Sequence, residues 1–281
     1  MALVVSACRE SSRSTEQDDH VLTASAVQPA GACFDLQGCQ SRCDTGMAAA
    51  CLRAARFHHE GWGVPRSPER TKQLDLRACD LGNGAGCEEL LERSLVPETE
   101  IVKMLVKAVE QYGRSCDARD GESCSTLAAL YGMGRGVPAD GVKSAELDEH
   151  GCHAGFPPAC ASVLARTRRL HDAAATKRAD ADLEAASRRA CEAGTSGACK
   201  RLVTYSSPPY PGPRLPDADA LLRRSLALDT RACELGWPEA CYFAGAALDE
   251  NSILHDAEHA RLMFARGCQL GDRSQCEKAR K

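Results

Sequence analysis

The side chains with the most chemistry in this chain are its 17 cysteines. Fourteen of them fall into seven pairs of one spacing, cysteine, seven residues, cysteine: Cys43 with Cys51, Cys79 with Cys87, Cys116 with Cys124, Cys152 with Cys160, Cys191 with Cys199, Cys233 with Cys241, and Cys268 with Cys276. Thiols so placed could bind metal, stay buried and free, or join as disulfides. Zinc sites draw ligands from short knuckles such as C-x-x-C, and no such pair occurs. On one straight helix, residues eight apart would stand roughly 12 Å from each other. A disulfide needs Cα atoms about 4.4 to 6.8 Å apart, so a turn must separate the two. In six of the seven pairs a glycine stands three residues after the first cysteine: Gly46, Gly82, Gly155, Gly194, Gly236 and Gly271. Glycine past a helical run is the favoured left-handed cap. The favoured reading is a disulfide across a helix–helix corner, repeated seven times. In the odd member, Cys116-Asp-Ala-Arg-Asp-Gly121, the stop is expected to slip by two residues. Cys33 and Cys39 form a possible eighth bridge.

The remaining reactive residues make weaker patterns. His255-Asp-Ala-Glu258-His259 has the His-x-x-Glu-His order of inverted zinc peptidases and would put both imidazoles on one helical face. It needs a third ligand from well downstream, and only 22 residues follow. A solvated helix face is the plainer reading. His58-His59-Glu60 is read as the polar end of the first helix. A serine β-lactamase needs Ser-x-x-Lys with a Lys-Thr-Gly partner, and neither string occurs. The expectation is therefore no catalytic residue, no metal and no cofactor.

The elements that must position the cysteines follow from their period. The pairs recur every 35 to 42 residues, the mark of helical-hairpin solenoids in which each unit buries its apolar face against its neighbours. Aromatics are 4% of the chain while Ala, Leu, Arg and Glu abound, which favours close-packed helices over strands. Helices are expected at Met47–Glu60, Pro68–Leu81, Ala85–Leu95, Pro97–Asp117, Glu122–Gly132, Gly141–Ala154, Pro158–Asp172, Ala181–Ala193, Ser196–Ser206, Asp217–Leu235, Pro238–Asp249, Ile253–Leu270 and Arg273–Arg280. These make about six and a half αα repeats. Apolar residues recur three, four, six and seven places after the second cysteine, as in Ala54, Ala55 and Phe57, or Leu127, Ala128, Leu130 and Tyr131; this is the core stripe. Positions two and five places on lie off it, which makes Arg53, Arg56, Arg201 and Phe243 the ligand-groove candidates. The proline-rich segment Ser207–Pro216 reads as an exposed extended loop, either a recognition lip or a tolerated insertion.

Seven or eight disulfides imply an oxidising compartment. The start Val5-Ser6-Ala7-Cys8 resembles the lipobox of bacterial lipoproteins, with Cys8 as the lipidated residue, although no Lys or Arg precedes it and the apolar stretch is short for a secretory signal. The alternative is an accidental Ala-Cys in a ragged end. The expected organisation is residues 1–8 as a short or truncated lipoprotein signal, 9–32 as a disordered tether and 33–281 as the cysteine-rich solenoid. A net charge of −4 gives no basic footprint for nucleic acid or an anionic membrane. No 18-residue apolar run spans a bilayer, so contact with a membrane is expected only through the lipid.

Leu130-Tyr-Gly-Met-Gly-Arg-Gly-Val-Pro-Ala-Asp140, followed by Lys143-Ser-Ala-Glu-Leu and the Cys152 corner, resembles the Sel-one-like repeat, a relative of the tetratricopeptide repeat. His59-Glu-Gly-Trp-Gly-Val-Pro65 is a second copy. With a cysteine pair at every corner, the stretch from about residue 33 to 281 is similar to the secreted, cysteine-rich bacterial proteins of that kind. The resemblance implies an all-α, right-handed superhelix of αα-hairpins whose concave face binds a protein or peptide. Some such proteins are described as weak penicillin-binding proteins or β-lactamases. Three functions follow as expectations: foremost, a non-enzymatic, monomeric scaffold or adaptor in the bacterial envelope, exported to the periplasm or cell surface and lipid-anchored, with an unknown protein or peptide as partner; second, a hydrolase of β-lactams or cell-wall peptides; third, a structural or redox-responsive envelope protein.

Overall fold

The computed structural model describes residues 33–205, 215–250 and 254–280. Cys8, the expected signal and tether, and most of the Ser207–Pro216 segment lie outside them. The described residues form 14 α-helices and no strand. α1 (Leu36–Asp44) precedes six hairpins: α2 (Ala48–Glu60) with α3 (Pro68–Asp80), α4 (Gly84–Glu92) with α5 (Ile101–Asp117), α6 (Gly121–Met133) with α7 (Gly141–His153), α8 (Pro157–Arg169) with α9 (Ala173–Glu192), α10 (Ser196–Tyr205) with α11 (Ala218–Glu234), and α12 (Pro238–Glu250) with α13 (Ala257–Gln269). α14 (Arg273–Lys278) is the last helix of the described residues. Each helix packs chiefly on the next in sequence. This is an all-α solenoid of αα-hairpins, stapled by disulfides.

Eight bridges are formed, seven at the corners and one between Cys33 and Cys39. At the corners the Cα atoms stand 4.5 to 4.9 Å apart, which the turn makes possible. Gly82, with φ 92°, is representative of the caps, and its backbone conformation is one that a side chain would strain. The stripe after the second cysteine forms the core: Ala54, Ala55, Leu127, Ala128 and Leu130 are all buried. Successive corners are tied together by long polar side chains that cap exposed helix-end carbonyls. Arg77 donates to Cys43 O and Asp44 O, Gln111 to Cys79 O, and Arg224 to Cys191 O and Glu192 O.

Several expectations are corrected. α1 is not foreseen by an apolar pattern; Asp35 caps it by accepting from Gly38 N, and bridges at Cys39 and Cys43 hold it. α9 begins at Ala173, eight residues before the expected start, because Asp172 supplies an N-cap to Ala175 N. α13 begins at Ala257 rather than Ile253. At the third corner the stop does not slip to Gly121. Arg119 takes the left-handed position, φ 66°, three residues after Cys116, and Gly121 opens α6 against Phe156 and Gly151.

The last unit comes round to meet the first. A Cβ placed on Gly236 would touch Phe34 O at 3.4 Å, and one on Gly271 would collide with the backbone of Trp62 and Gly63. α1 explains why there is room. It begins seven residues before its corner cysteine, whereas α5 begins fifteen before Cys116. In the third unit, the second glycine of Gly134-Arg-Gly-Val-Pro138 packs on Leu105, on the early part of α5. Gly63, its counterpart in the first unit, faces Leu270 and Gly271 of the last unit instead.

Candidate functional site

The seam between first and last units gathers the chain's two tryptophans. Trp62, in the loop after α2, is buried, and Trp237 stands at the turn before α12. Their ring centroids are 5.3 Å apart, edge to face, and Phe57 lies 5.7 Å from Trp62 and 5.8 Å from Trp237. Such an aromatic trio adds roughly 0.5 to 1.5 kcal/mol per pair beyond its buried area.

Two of the expected groove residues build this seam. Arg53 sits over Trp237 at 5.0 Å and near Phe34 at 5.8 Å, and donates to Cys33 O at 2.9 Å. Burial, and then the neighbouring Arg56 charge, push its guanidinium pKa down from the ordinary arginine value. Arg56 lies over Trp62 and Trp237 and forms an ion pair with Glu239 at 2.8 Å. Phe243 is 42% exposed, packs edge to face with Tyr242, and has the Lys200 ammonium 4.9 Å over its ring. Arg201 is half-buried, and its Nε has no hydrogen-bond partner. The structure thus brings Arg53 and Arg56 together, sets Phe243 beside a cavity-lining tyrosine, and leaves Arg201 one hairpin back.

A cavity of about 820 Å³ opens along the seam, a size suited to a small ligand or a few peptide side chains. Trp62 and Tyr242 supply its apolar wall, and Arg56, Arg66, Arg273, Glu60, Glu239 and Asp272 its charges. Most of these are already engaged. Arg66 donates to Glu60 O at 3.0 Å, and Asp272 accepts from the Ser274 N–H and hydroxyl at 3.0 and 2.6 Å. Ser274 is the cavity's one aliphatic hydroxyl, and neither histidine nor cysteine is among the lining residues. The arrangement can orient groups of either charge over an aromatic wall. Its one hydroxyl–carboxylate contact, Ser274 with Asp272, lies at the N-cap of α14.

The histidine strings are dispersed. His255 precedes α13, Asp256 is the N-cap, and His259 bonds back to Asp256 Oδ2 at 2.6 Å. The two imidazoles therefore do not share a helical face, and the Asp256 carboxylate holds the His259 pKa above the ordinary histidine range. His58 contacts Gln40 at 3.4 Å at the end of α2. Among the described residues no three His, Cys, Asp or Glu side chains are placed to share a metal ion, and no helix is long and apolar enough to cross a membrane.

Sequence reasoning missed one register of carboxylates, four places before the first cysteine at three of the seven corners. Asp75 is fully buried with Oδ2 2.6 Å from Arg93, and its Oδ1 has no partner. Asp229 is buried against Lys200 at 2.7 Å. Asp148 stands at the same register near Arg166. Burial outweighs the arginine in both the first and third cases, raising Asp75 to about 7 and Asp148 to about 6. The seam also had a faint signal in the sequence: Trp237 occupies a turn position that is polar at four corners, as Asn83, Asp120, Thr195 and Asp272, and apolar at two, as Met47 and Phe156.

No family model and no curated protein sequence matches the chain. Solved structures similar to it include the immunity protein PA5088 from Pseudomonas aeruginosa, with a TM-score of 0.43 and 17% identity over 79% of this chain and 81% of that one. A Sel1 repeat protein from Oxalobacter formigenes gives 0.39 and 15% over 86% and 78%. Another is c5321, a protective antigen of uropathogenic Escherichia coli strains displaying an SLR fold, which gives 0.39 and 16%; this chain covers 87% of itself and half the length of that protein.

Proposed function

We propose that the protein is a non-catalytic scaffold of a bacterial cell envelope that holds a protein or peptide on its repeat surface, anchored at the seam cavity. The observation that carries the reading is the cavity itself: an aromatic wall with fixed charges of both signs around it. Eight disulfides suit an oxidising, exported location. Attachment through a lipid on Cys8 completes the reading, and the intact mass of protein taken from the native envelope reads it directly.

The test is a photo-crosslinking amino acid placed in cells at Phe243, beside the cavity wall, and in parallel at Leu170, an exposed apolar residue. A discrete adduct is expected from position 243 and not from 170, and Arg66→Ala together with Arg273→Ala should weaken it. Equal labelling at both positions, or hydrolysis of a β-lactam or cell-wall peptide abolished by one substitution, would overturn the scaffold reading.

A further inference from the structure

We propose that Cys268–Cys276 is a redox latch for the seam, the one corner that a dithiol reductant opens ahead of the others. Access is the first ground. All 14 cysteines of the other seven bridges are buried, whereas Cys268 and Cys276 are both partly exposed. Thiol–disulfide exchange needs a thiolate to reach a sulfur, so the exposed bridge is attacked first.

Position is the second ground. This corner carries Gly271, whose backbone lies against Trp62 and Gly63 of the first unit. The corner leads into α14, six residues long. A helix that short does not hold itself in water. Gln275 Nε2 ties it to Pro238 O at 2.8 Å, and the disulfide is its one covalent staple.

The reaction balances as a two-electron exchange. One thiolate of a small or protein dithiol attacks a sulfur of the bridge, forming a mixed disulfide and expelling the other cysteine as a thiolate. The reductant's second thiol then displaces the first cysteine. The dithiol leaves as its disulfide, and both of its protons end on Cys268 and Cys276. With the corner unclamped, Gly271 and α14 loosen and the Trp62–Gly63 backbone loses the seat it packs on. The latch does not depend on what occupies the cavity.

Both tryptophans lie in the seam, so intrinsic emission reports its opening separately from helix content. The experiment is a titration of the purified protein with dithiothreitol, trapping with iodoacetamide and peptide mapping, with emission and far-UV circular dichroism read at each dose. The expected result is alkylation of Cys268 and Cys276 at the lowest doses, with a red shift in emission and little loss of helical signal. Reduction of another corner first would overturn the proposal, as would emission unchanged once Cys268 and Cys276 are alkylated. The double variant Cys268→Ser/Cys276→Ser should show the red shift without reductant, while the control Cys191→Ser/Cys199→Ser should keep native emission. Native emission in the first variant would also defeat the latch.

Discussion

At the scale of single residues, Asp75 and Asp148 tie stability to pH. Asp75 is shut away from water with one oxygen on Arg93 and the other unpaired. Burial therefore pushes its pKa up to about 7, well above the ordinary aspartate range, and Asp148 rises to about 6. Between those limits the folded state holds protons that the unfolded chain releases, so stability falls as pH climbs from about 4 to about 7. Denaturant midpoints measured at pH 5 and pH 8 should be lower at pH 8, and Asp75→Asn should flatten the difference. A wild-type midpoint that rises with pH would contradict the assignment. None of this was legible beforehand. A carboxylate in a helical sequence looks like a solvated face until the neighbouring unit is laid over it, and Arg93 approaches Asp75 only through the fold.

At the scale of elements, the corners were the legible part. Cysteine spacing together with glycine three residues on located six of the seven left-handed caps, because both features answer one local demand, the stop and reversal of the chain. Where the glycine was missing, the local rule still held and its expected exception did not: Arg119 adopts the strained conformation in place of a two-residue slip. The left-handed region penalises a side chain by about 1 to 2 kcal/mol, so Arg119→Gly should stabilise the protein by about 1 kcal/mol, read from equilibrium unfolding under non-reducing conditions. A destabilised variant would mean that the Arg119 side chain contributes more than its backbone strain removes. α1 escaped notice for the opposite reason. It is nine residues long, has little apolar periodicity, and is held by bridges and an Asp35 cap rather than by a stripe of its own.

At the scale of the whole molecule, the first and last described units of the solenoid touch. The sequence carried this only faintly, in two tryptophans at turn positions more than 170 residues apart, since pairing over such a distance has no local periodicity. The Arg56–Glu239 ion pair tests it directly. Both side chains are partly exposed, so the pair contributes no more than about 0.2 to 1 kcal/mol. Arg56→Glu alone should loosen the seam and shift tryptophan emission to the red, and adding Glu239→Arg should restore it. Failure of the double variant to recover would mean that Arg56 acts through its stacking on Trp62 and Trp237 rather than through its charge.

Closure also bears on how such a chain can change over generations. An open array of repeats can gain or lose a unit by unequal recombination, because its stability is a sum of units and nearest-neighbour contacts. Here Gly63 is seated on the Gly271 corner, so an added or deleted hairpin would carry that corner out of register with its seat. Changes that keep that seat are substitutions within units and insertions in loops.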